Sequence, residues 1–366
     1  MTLKESTLEK CILLRKQLHN TPEFSGQEIK TKKILMEFIR TNTSMEIHDC
    51  GKWFYAVHRE KYAKRTLAFR GDFDGVSSDS GEAKHLCGHD GHSAILCGLA
   101  LELEGEICGK NIVLIFQHGE ETGEGAVSCA SVITRENVEK IYGLHNIPGY
   151  PKGCILLKEG TFACASMGLE ITFMGAPSHA AYPEAGKNPS YAIADLIKAM
   201  EIYEKPQSDK PMILCTVIGS RIGEKAFGVA ASKGEVWMTI RSEREEDLNR
   251  LKEELKSLAE KNSEKYGLNY QIKEVDVFPE TANDIKSLEI VEQCCQYYQW
   301  KSQRIYDPFR WSEDFGWYQK ETDGIFLGLG SGENHPQLHT SKYEFPDEIM
   351  EQGILLWKSL SLERFI

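Results

Sequence analysis

Three short apolar runs, each followed by residues that can carry chemistry, constrain the fold of this chain more than any other feature. RTLAF (65–69) leads into RGDFDG, NIVLIF (111–116) leads into QHGEE, and KIYGL (140–144) leads into His145. Runs this apolar are typical of strands in a sheet that is covered on both faces. Between the first two, SAILCGLALELE (93–104) has apolar residues at helical spacing. The pattern predicts an α/β fold, with a mostly parallel sheet covered by helices.

The polar residues that follow these runs are expected to share one site. In open α/β sheets, sites form just beyond the carboxyl ends of the strands. The residues at those positions are Asp72, Asp74, Glu120, Glu121 and His145.

A second region begins near residue 165, where the sequence pattern changes. Its segments read in order as strand, helix, strand, strand, helix and strand, from MGLEITFMG to NYQIKEVDVF. This is the order of the ferredoxin-like split motif. We therefore expect residues 165–278 to form an inserted α+β satellite domain. Residues 1–164 and 279–366 would form the catalytic metal-binding α/β domain.

Length, charge and cysteine content narrow the class of protein. A chain of 366 residues suggests about two domains. The formal net charge of −12 argues against nucleic acid or an anionic membrane as the main partner. The first thirty residues lack the apolar stretch of a signal peptide, and no apolar run reaches the length of a membrane span. The 11 cysteines are scattered, which favours reduced thiols in a cytoplasmic protein.

The start of the chain is predicted to form two helices joined by the turn NTPEFSG. Ser6 and Glu9 have the spacing of a capping box, and so do Ser25 and Glu28.

The stretch HLCGHDGH (85–92) points to a metal site. Thiolate, imidazole and carboxylate are ligands that zinc and its first-row neighbours accept. Candidate ligands gather from distant parts of the chain: Cys87, His89, Glu121, His145 and His339. Asp72, Asp74 and Asp90 could orient the histidines by hydrogen bonds. Of the adjacent Glu120 and Glu121, one can bind metal while the other moves protons.

Each of these residues also has an ordinary structural interpretation. A single buried cysteine is usually part of the core, and a pair of glutamates on a turn is usually solvated. His92 could stabilise the start of the following helix, and His179 could be an ordinary loop residue. Arg241 could form a structural ion pair as readily as bind a substrate carboxylate.

Seven ordered motifs give the chain a family resemblance. They are LAFRGDFDGV, HLCGHDGHSAILCGLA, LIFQHGEETGEGA, YGLHNIPGYPKG, GAPSHAAYPE, WSEDF and LHTSKYEF. Together they resemble the dinuclear metallo-amidohydrolases of the aminoacylase, hippurate hydrolase and auxin-conjugate hydrolase type. The resemblance covers nearly the whole chain.

The resemblance implies a role for each matching position. Cys87 corresponds to a ligand shared by two divalent metal ions, zinc or manganese first, with cobalt or nickel as alternatives. The remaining ligands correspond to His89, Glu121, His145 and His339. Glu120 corresponds to the general base, and His179 to a satellite-domain histidine that reaches the substrate carbonyl, often across a dimer. Asp74 matches a residue that orients a ligand, and Asp90 is expected to support the site in the same way.

The expected activity is hydrolysis of the amide bond of an N-acyl amino acid or a similar small conjugate, by a homodimer joined through the satellite domain. Two departures from the family pattern bear on the substrate. His118-Gly119 replaces the usual Pro-Ala, and GVAAS (228–232) replaces Asn-Val-Ile-Pro-Asp. Two alternatives remain open: a metallopeptidase that cleaves di- or tripeptides, and a catalytically silent metal-containing binding protein of the same fold.

Overall fold

The computed structural model describes residues 1–206 and 211–365, and the chain divides into two compact units. The first unit comprises Met1–Phe162, Thr281–Pro308 and Glu313–Ile366. The second comprises Ala163–Glu280 and Phe309–Ser312.

The first unit is built on an eight-stranded sheet. In spatial order its strands are Glu46–Asp49, Phe54–His58, Asn111–Gln117, Thr66–Asp72, Lys140–Pro148, Asp323–Gly332, Ile155–Leu157 and Ser302–Arg304. The four strands from Asn111–Gln117 to Asp323–Gly332 run parallel to one another. Every residue of Thr66–Asp72 is buried, so both faces of the sheet are covered at its centre. The predicted α/β class, with a mostly parallel sheet covered by helices, is confirmed.

The longer helices of the first unit share one apolar core with this sheet. They are Thr7–His19, Ile29–Asn42, His89–Leu103, Ile285–Tyr298 and Met350–Leu362. The unit also contains the short helices Gly125–Cys129, Ser131–Arg135 and Gly316–Gln319. The helix His89–Leu103 is buried along its whole length, because it packs against the sheet and against the helices Thr7–His19, Ile29–Asn42 and Met350–Leu362. At Gly98 a Cβ atom would overlap Ile354, so this glycine permits a close approach of two helices.

The strand that carries His145 is longer than its apolar run. KIYGL predicts a strand that ends at Leu144, whereas the strand continues to Pro148. His145 therefore lies within the strand, where parallel pairing with Asp323–Gly332 fixes its backbone on one side.

The two predicted capping boxes are wrong. Ser6 has a left-handed backbone and makes no capping hydrogen bond through its side chain. The second helix begins at Ile29, and its first turn is capped by Glu23, whose Oε2 accepts from the backbone N–H groups of Lys30 and Thr31, both at 2.8 Å. Ser25 is therefore released for another contact, described below.

The second unit contains a four-stranded antiparallel sheet. In spatial order its strands are Ile213–Ile222, Lys233–Ser242, Ala165–Met174 and Asn269–Phe278. The helices Ser190–Met200 and Glu245–Tyr266 complete a βαββαβ order along the chain. Leu248, Leu251 and Leu255 of the longer helix are buried in the core of this unit. The strand order, 2-3-1-4 by position along the chain, is that of a ferredoxin-like sheet.

Among the described residues, no helix combines the length and the apolar character that crossing a membrane requires.

Candidate metal centre

Two glycines shape the turn that leads into the helix His89–Leu103. Gly88 has a φ of +97°, and a Cβ atom there would collide with the side chain of Asn146. At Gly91 a Cβ atom would overlap the ring of Phe345. The turn can therefore present Cys87 and His89 in this arrangement only with glycine at these positions.

Five predicted ligands lie together in the first unit. Cys87 Sγ is 3.3 Å from Nε2 of His145 and 3.3 Å from Nε2 of His339. Glu121 Oε1 is 3.3 Å from Nε2 of His339 and 3.8 Å from Nε2 of His89. Cys87 and His89 flank Gly88 at the start of the helix His89–Leu103, Glu121 lies in the 3₁₀ turn after the strand Asn111–Gln117, and His145 lies within the strand Lys140–Pro148. His339 comes from a loop, has a φ of +62°, and leaves 53% of its side chain exposed.

Hydrogen bonds direct two of the imidazoles toward the centre of this group. His89 Nδ1 donates to Asp74 Oδ1 at 2.9 Å, and His145 Nδ1 donates to the carbonyl oxygen of Asn146 at 2.8 Å. In a neutral imidazole that donates through Nδ1, the lone pair lies on Nε2. Asp74 Oδ2 also accepts from Ser25 Oγ at 2.7 Å. Such outer partners fix the orientation and basicity of a metal-binding histidine.

The donor set fits divalent cations. Two atoms bound to one tetrahedral zinc at about 2.1 and 2.3 Å would lie about 3.6 Å apart, close to the separations found here. His89 Nε2 and Glu121 Oε1 are buried and, among the described residues, make no contact with the geometry of a hydrogen bond, although each lies within 4 Å of another candidate ligand. Two overlapping groups, Cys87–His89–His145 and Cys87–Glu121–His339, share the thiol. A buried polar atom without a partner is costly, and a cation would satisfy both.

The charge of the site also favours cations. Burial, and then the charges of Glu121 and Glu120, hold the pKa of Cys87 well above its usual range. Burial, and then Glu313 and Glu121, do the same for the pKa of Glu120. A bound cation opposes these effects, because it stabilises a thiolate and a carboxylate.

Glu120 is buried beside the candidate ligands. Its Oε1 accepts from the backbone N–H of Asp314 at 3.3 Å, and its Oε2 lies 3.9 Å from His89 Nε2. One oxygen is thus held by the protein while the other faces the centre.

A buried ion cluster, which we call the Arg70 cluster, lies behind Glu120. The guanidinium donates to Asp72 at 2.7 Å, to Glu313 at 2.8 Å and to Asp314 at 2.9 Å, and also to Gln117. Asp72 in turn bonds His92 Nδ1 at 2.7 Å. Arg70 therefore connects the strand that carries Asp72 to the segment that holds Glu120.

The remaining predicted residues lie in different surroundings. Asp90 is fully buried and pairs with His19 at 2.9 Å and with Arg15 at 3.7 Å, and neither of these residues is one of the five candidate ligands. His92 is expected to stabilise the start of its own helix, but its ring nitrogens form hydrogen bonds with Asp72 and Asn146 on two strands of the sheet. His118 is buried, and its Nδ1 has no hydrogen-bond partner in the described part of the chain.

His179 and Arg241 belong to the second unit. His179 is exposed and pairs with Val229 of the GVAAS segment in a short two-stranded ladder. The Arg241 guanidinium donates to the carbonyl oxygen of Arg310 at 2.6 Å and to Ser312 Oγ at 2.7 Å. Both acceptors are neutral, so these contacts are not an ion pair.

Sequence reasoning missed the Arg70 cluster and the contacts of Glu28. An arginine two residues before Asp72, at the end of an apolar run, was a usable signal, because a strand buried on both faces must pair such a charge. The adjacent acids Glu313 and Asp314 were visible only as part of a motif.

Comparison with known proteins identifies the family. Residues 68–363 match the Peptidase family M20/M25/M40, so the chain belongs to this family. The N-acetyldiaminopimelate deacetylase of Oenococcus oeni is 24% identical, over 97% of this chain and 98% of its own length. The corresponding enzyme of Leuconostoc mesenteroides is 26% identical, over 93% of each chain.

Solved structures share the fold. A dinuclear metal binding peptidase of the M20 family from Bacillus subtilis has a TM-score of 0.81 and 22% identity, with 99% of each chain covered. An aminobenzoyl-glutamate utilization protein from Klebsiella pneumoniae has a TM-score of 0.78 and 17% identity, covering 99% of this chain and 98% of its own. The resemblance inferred from the motifs is confirmed, and the protein is a metal-dependent hydrolase of amide C–N bonds.

Proposed function

We propose that this enzyme hydrolyses the amide bond of N-acyl amino acids or similar small conjugates. The observation that carries the proposal is the paired ligand groups that share Cys87, with Glu120 beside them. The names of its relatives support the substrate class, because they describe deacetylation of an N-acetylated amino acid, N-acetyldiaminopimelate.

In the proposed mechanism Cys87, His89, Glu121, His145 and His339 hold two divalent cations, zinc or manganese. When bound, such ions lower the pKa of a water and polarise an amide oxygen. Glu120 accepts a proton from the attacking water and passes it to the departing amine. The N–H of Asp314 holds one Glu120 oxygen, which leaves the other oxygen to take up and release the proton.

The second unit has a separate role in this proposal. His179 donates a hydrogen bond to the oxygen on which negative charge develops, a contribution of typically a few kcal/mol to the barrier. The exposed position of His179 leaves its ring available to a substrate. We further propose that the unit joins two copies of the chain, as the family resemblance implies.

The test is amine release from N-acetyl, N-benzoyl and longer N-acyl amino acids and from simple dipeptides. Each substrate is assayed with added manganese, zinc or cobalt, and with a chelator. We expect chelator-sensitive hydrolysis of N-acyl amino acids and little hydrolysis of dipeptides. Glu120→Gln should lower turnover at least about a hundredfold, since positioned proton transfer is worth that much. The exposed neighbour Glu124 provides the matched control, and Glu124→Gln should stay within about twofold.

Other outcomes would select a different function. Preference for dipeptides would favour the metallopeptidase alternative. Metal binding without turnover of any amide would favour a binding protein. A loss of no more than twofold on Glu120→Gln would contradict its assignment as the base.

A further inference from the structure

Glu28 is a buried carboxylate that the proposed mechanism does not use. It precedes the helix Ile29–Asn42 and is only 4% exposed. Its side chain does not cap that helix, because Glu23 fills this role. Instead, its Oε1 accepts the backbone N–H of Gly119 at 2.8 Å, across 91 residues of sequence.

Gly119 begins the turn that carries Glu120 and Glu121. Its φ of +58° and ψ of 34° are left-handed, and a short 3₁₀ helix, Glu120–Thr122, follows. The carbonyl oxygen of Gly119 accepts from the N–H of Gly125 at 3.1 Å. Both backbone polar groups of Gly119 are thus hydrogen-bonded: its N–H to Glu28 and its carbonyl oxygen to the N–H of Gly125.

The other end of the short segment is also held by a carboxylate. Asp74 Oδ2 accepts the backbone N–H of Glu121 at 3.0 Å, while Asp74 Oδ1 orients His89. Two buried acids therefore fix the backbone on either side of Glu120. Removal of one of them would free one end of the segment.

Burial, and then the charge of Asp74, raise the pKa of Glu28 to about 7, although backbone N–H groups including that of Gly119 act against this. Near neutral pH a large fraction of Glu28 is therefore uncharged. Either protonation state can accept a backbone N–H through an oxygen. Glutamine is consequently a close substitute for the contact.

We propose that Glu28 is a positioning residue for the turn Gly119–Glu121: by accepting the Gly119 N–H, it fixes where the backbone of the general base and of one metal ligand begins. This inference rests on the proposed roles of Glu120 and Glu121. Because Glu28 acts through the turn, it should affect metal affinity and turnover together.

The experiment compares Glu28→Ala, Glu28→Gln and Glu28→Asp with wild type and with Glu23→Ala. Alanine removes the acceptor, glutamine keeps it, and aspartate keeps the charge but shortens the reach by one methylene. Glu23→Ala is the matched control, since it weakens the start of the same helix without touching the turn. The full-length protein is titrated with Co²⁺ by absorption, and kcat and KM are measured on the best amide substrate of the wild type.

Glu28→Ala should weaken Co²⁺ binding and lower kcat by about 10–100-fold, the range found for outer partners of metal ligands, with little change in KM. Glu28→Gln should stay within about threefold of wild type, and Glu28→Asp should fall between them. Glu23→Ala should lose thermal stability but bind Co²⁺ within about threefold of wild type.

Three results would overturn the proposal: normal Co²⁺ binding by folded Glu28→Ala, an equal loss in Glu23→Ala, or a loss in Glu28→Gln as large as in the alanine variant. If Glu28→Ala does not fold, Glu28→Asp and Glu28→Gln still decide between reach and charge. The Co²⁺ titration requires no substrate, so an inactive wild type would count against the proposed function and leave this test intact.

Discussion

Two buried ion clusters in the first unit use similar residues but differ in charge balance. In one, Glu102 accepts from Lys358 at 2.6 Å, from Thr7 at 2.6 Å and from the backbone N–H of Lys4 at 2.9 Å. In the other, the single cation Arg70 faces Asp72, Glu313 and Asp314, with Glu120 nearby.

The pKa values record this difference. Burial alone would raise the pKa of Glu102, but hydrogen bonds from Lys358 and Thr7 outweigh it and lower the pKa. At the Arg70 cluster burial also raises the pKa of Asp72, but the charges of Arg70, His89 and His92 outweigh it and hold that pKa well below its usual range. For the other two acids burial prevails over the arginine, and the pKa rises to about 8 for Glu313 and to about 6 for Asp314. In the first cluster the charge of Glu102 is balanced by that of Lys358. The second keeps an excess of acid beside the candidate metal centre, and perturbed pKa values of this kind cluster at functional sites.

The largest effect is expected from removing the cation of the acidic cluster. Arg70→Met would leave three buried acidic side chains without their shared partner, and two of them, Asp72 and Asp314, are largely ionised at pH 7. We expect a loss of about 4–5 kcal/mol in the free energy of unfolding at pH 7. Urea unfolding measures it. The loss should shrink at pH 5, where more of the acids are protonated; an equal loss at both values would show that packing, not charge, is responsible.

The balanced cluster should also be sensitive to the loss of one partner, with no effect on activity per folded molecule. Glu102→Gln leaves Lys358 buried without a counter-charge, and we expect a loss of about 3 kcal/mol at pH 7. Because the folded pKa of Glu102 is lowered, its contribution is present above 4.5 and is lost as pH falls further. If Glu102→Gln changes the free energy of unfolding by less than about 1 kcal/mol at pH 7, the Glu102–Lys358 pair is not the strong buried pair that the comparison assumes.

Glu102 and Glu313 should respond to pH in opposite directions. The pKa of Glu313 is raised from 4.5 to about 8, so its neutral form favours the folded state below pH 4.5 and that contribution is lost as pH rises toward 8. In metal-free protein, Glu313→Gln should remove on the order of 2 kcal/mol of the stability loss between pH 5 and 8. Urea unfolding of both proteins at the two pH values isolates this group. If the free energy of unfolding of Glu313→Gln falls between pH 5 and 8 as much as that of wild type, Glu313 is not the cause of the fall.

The smallest effect is expected for an exposed pair of the same unit. Glu292 contacts Arg304 at 2.6 Å, but their side chains are 28% and 38% exposed. Solvent screens such pairs, so Glu292→Gln should change the free energy of unfolding by less than about 0.5 kcal/mol. A larger change would mean that burial does not separate strong from weak pairs in this protein.

The sequence predicted the strands and the candidate ligands because both have local signals. Apolar runs identified the parallel strands, and the residues after them identified Glu120 and Glu121. The contacts of Ser25 and Glu28 could not be predicted in this way. Their spacing is that of a capping box, but tertiary contacts with Asp74 and Gly119 prevail over the local preference. His339 could be placed only by its motif, since no strand carries it.

The strand Asp323–Gly332 lies in the middle of the large sheet, between Lys140–Pro148 and Ile155–Leu157, although it is encoded long after both. During synthesis the earlier strands leave the ribosome with the central place of their sheet unfilled. Cys87 and His339 are 252 residues apart, a length that takes roughly ten to fifty seconds to translate. Once His145 has been made, the nascent chain has four of its five candidate metal ligands, but it has no complete sheet to hold them until Asp323–Gly332 follows.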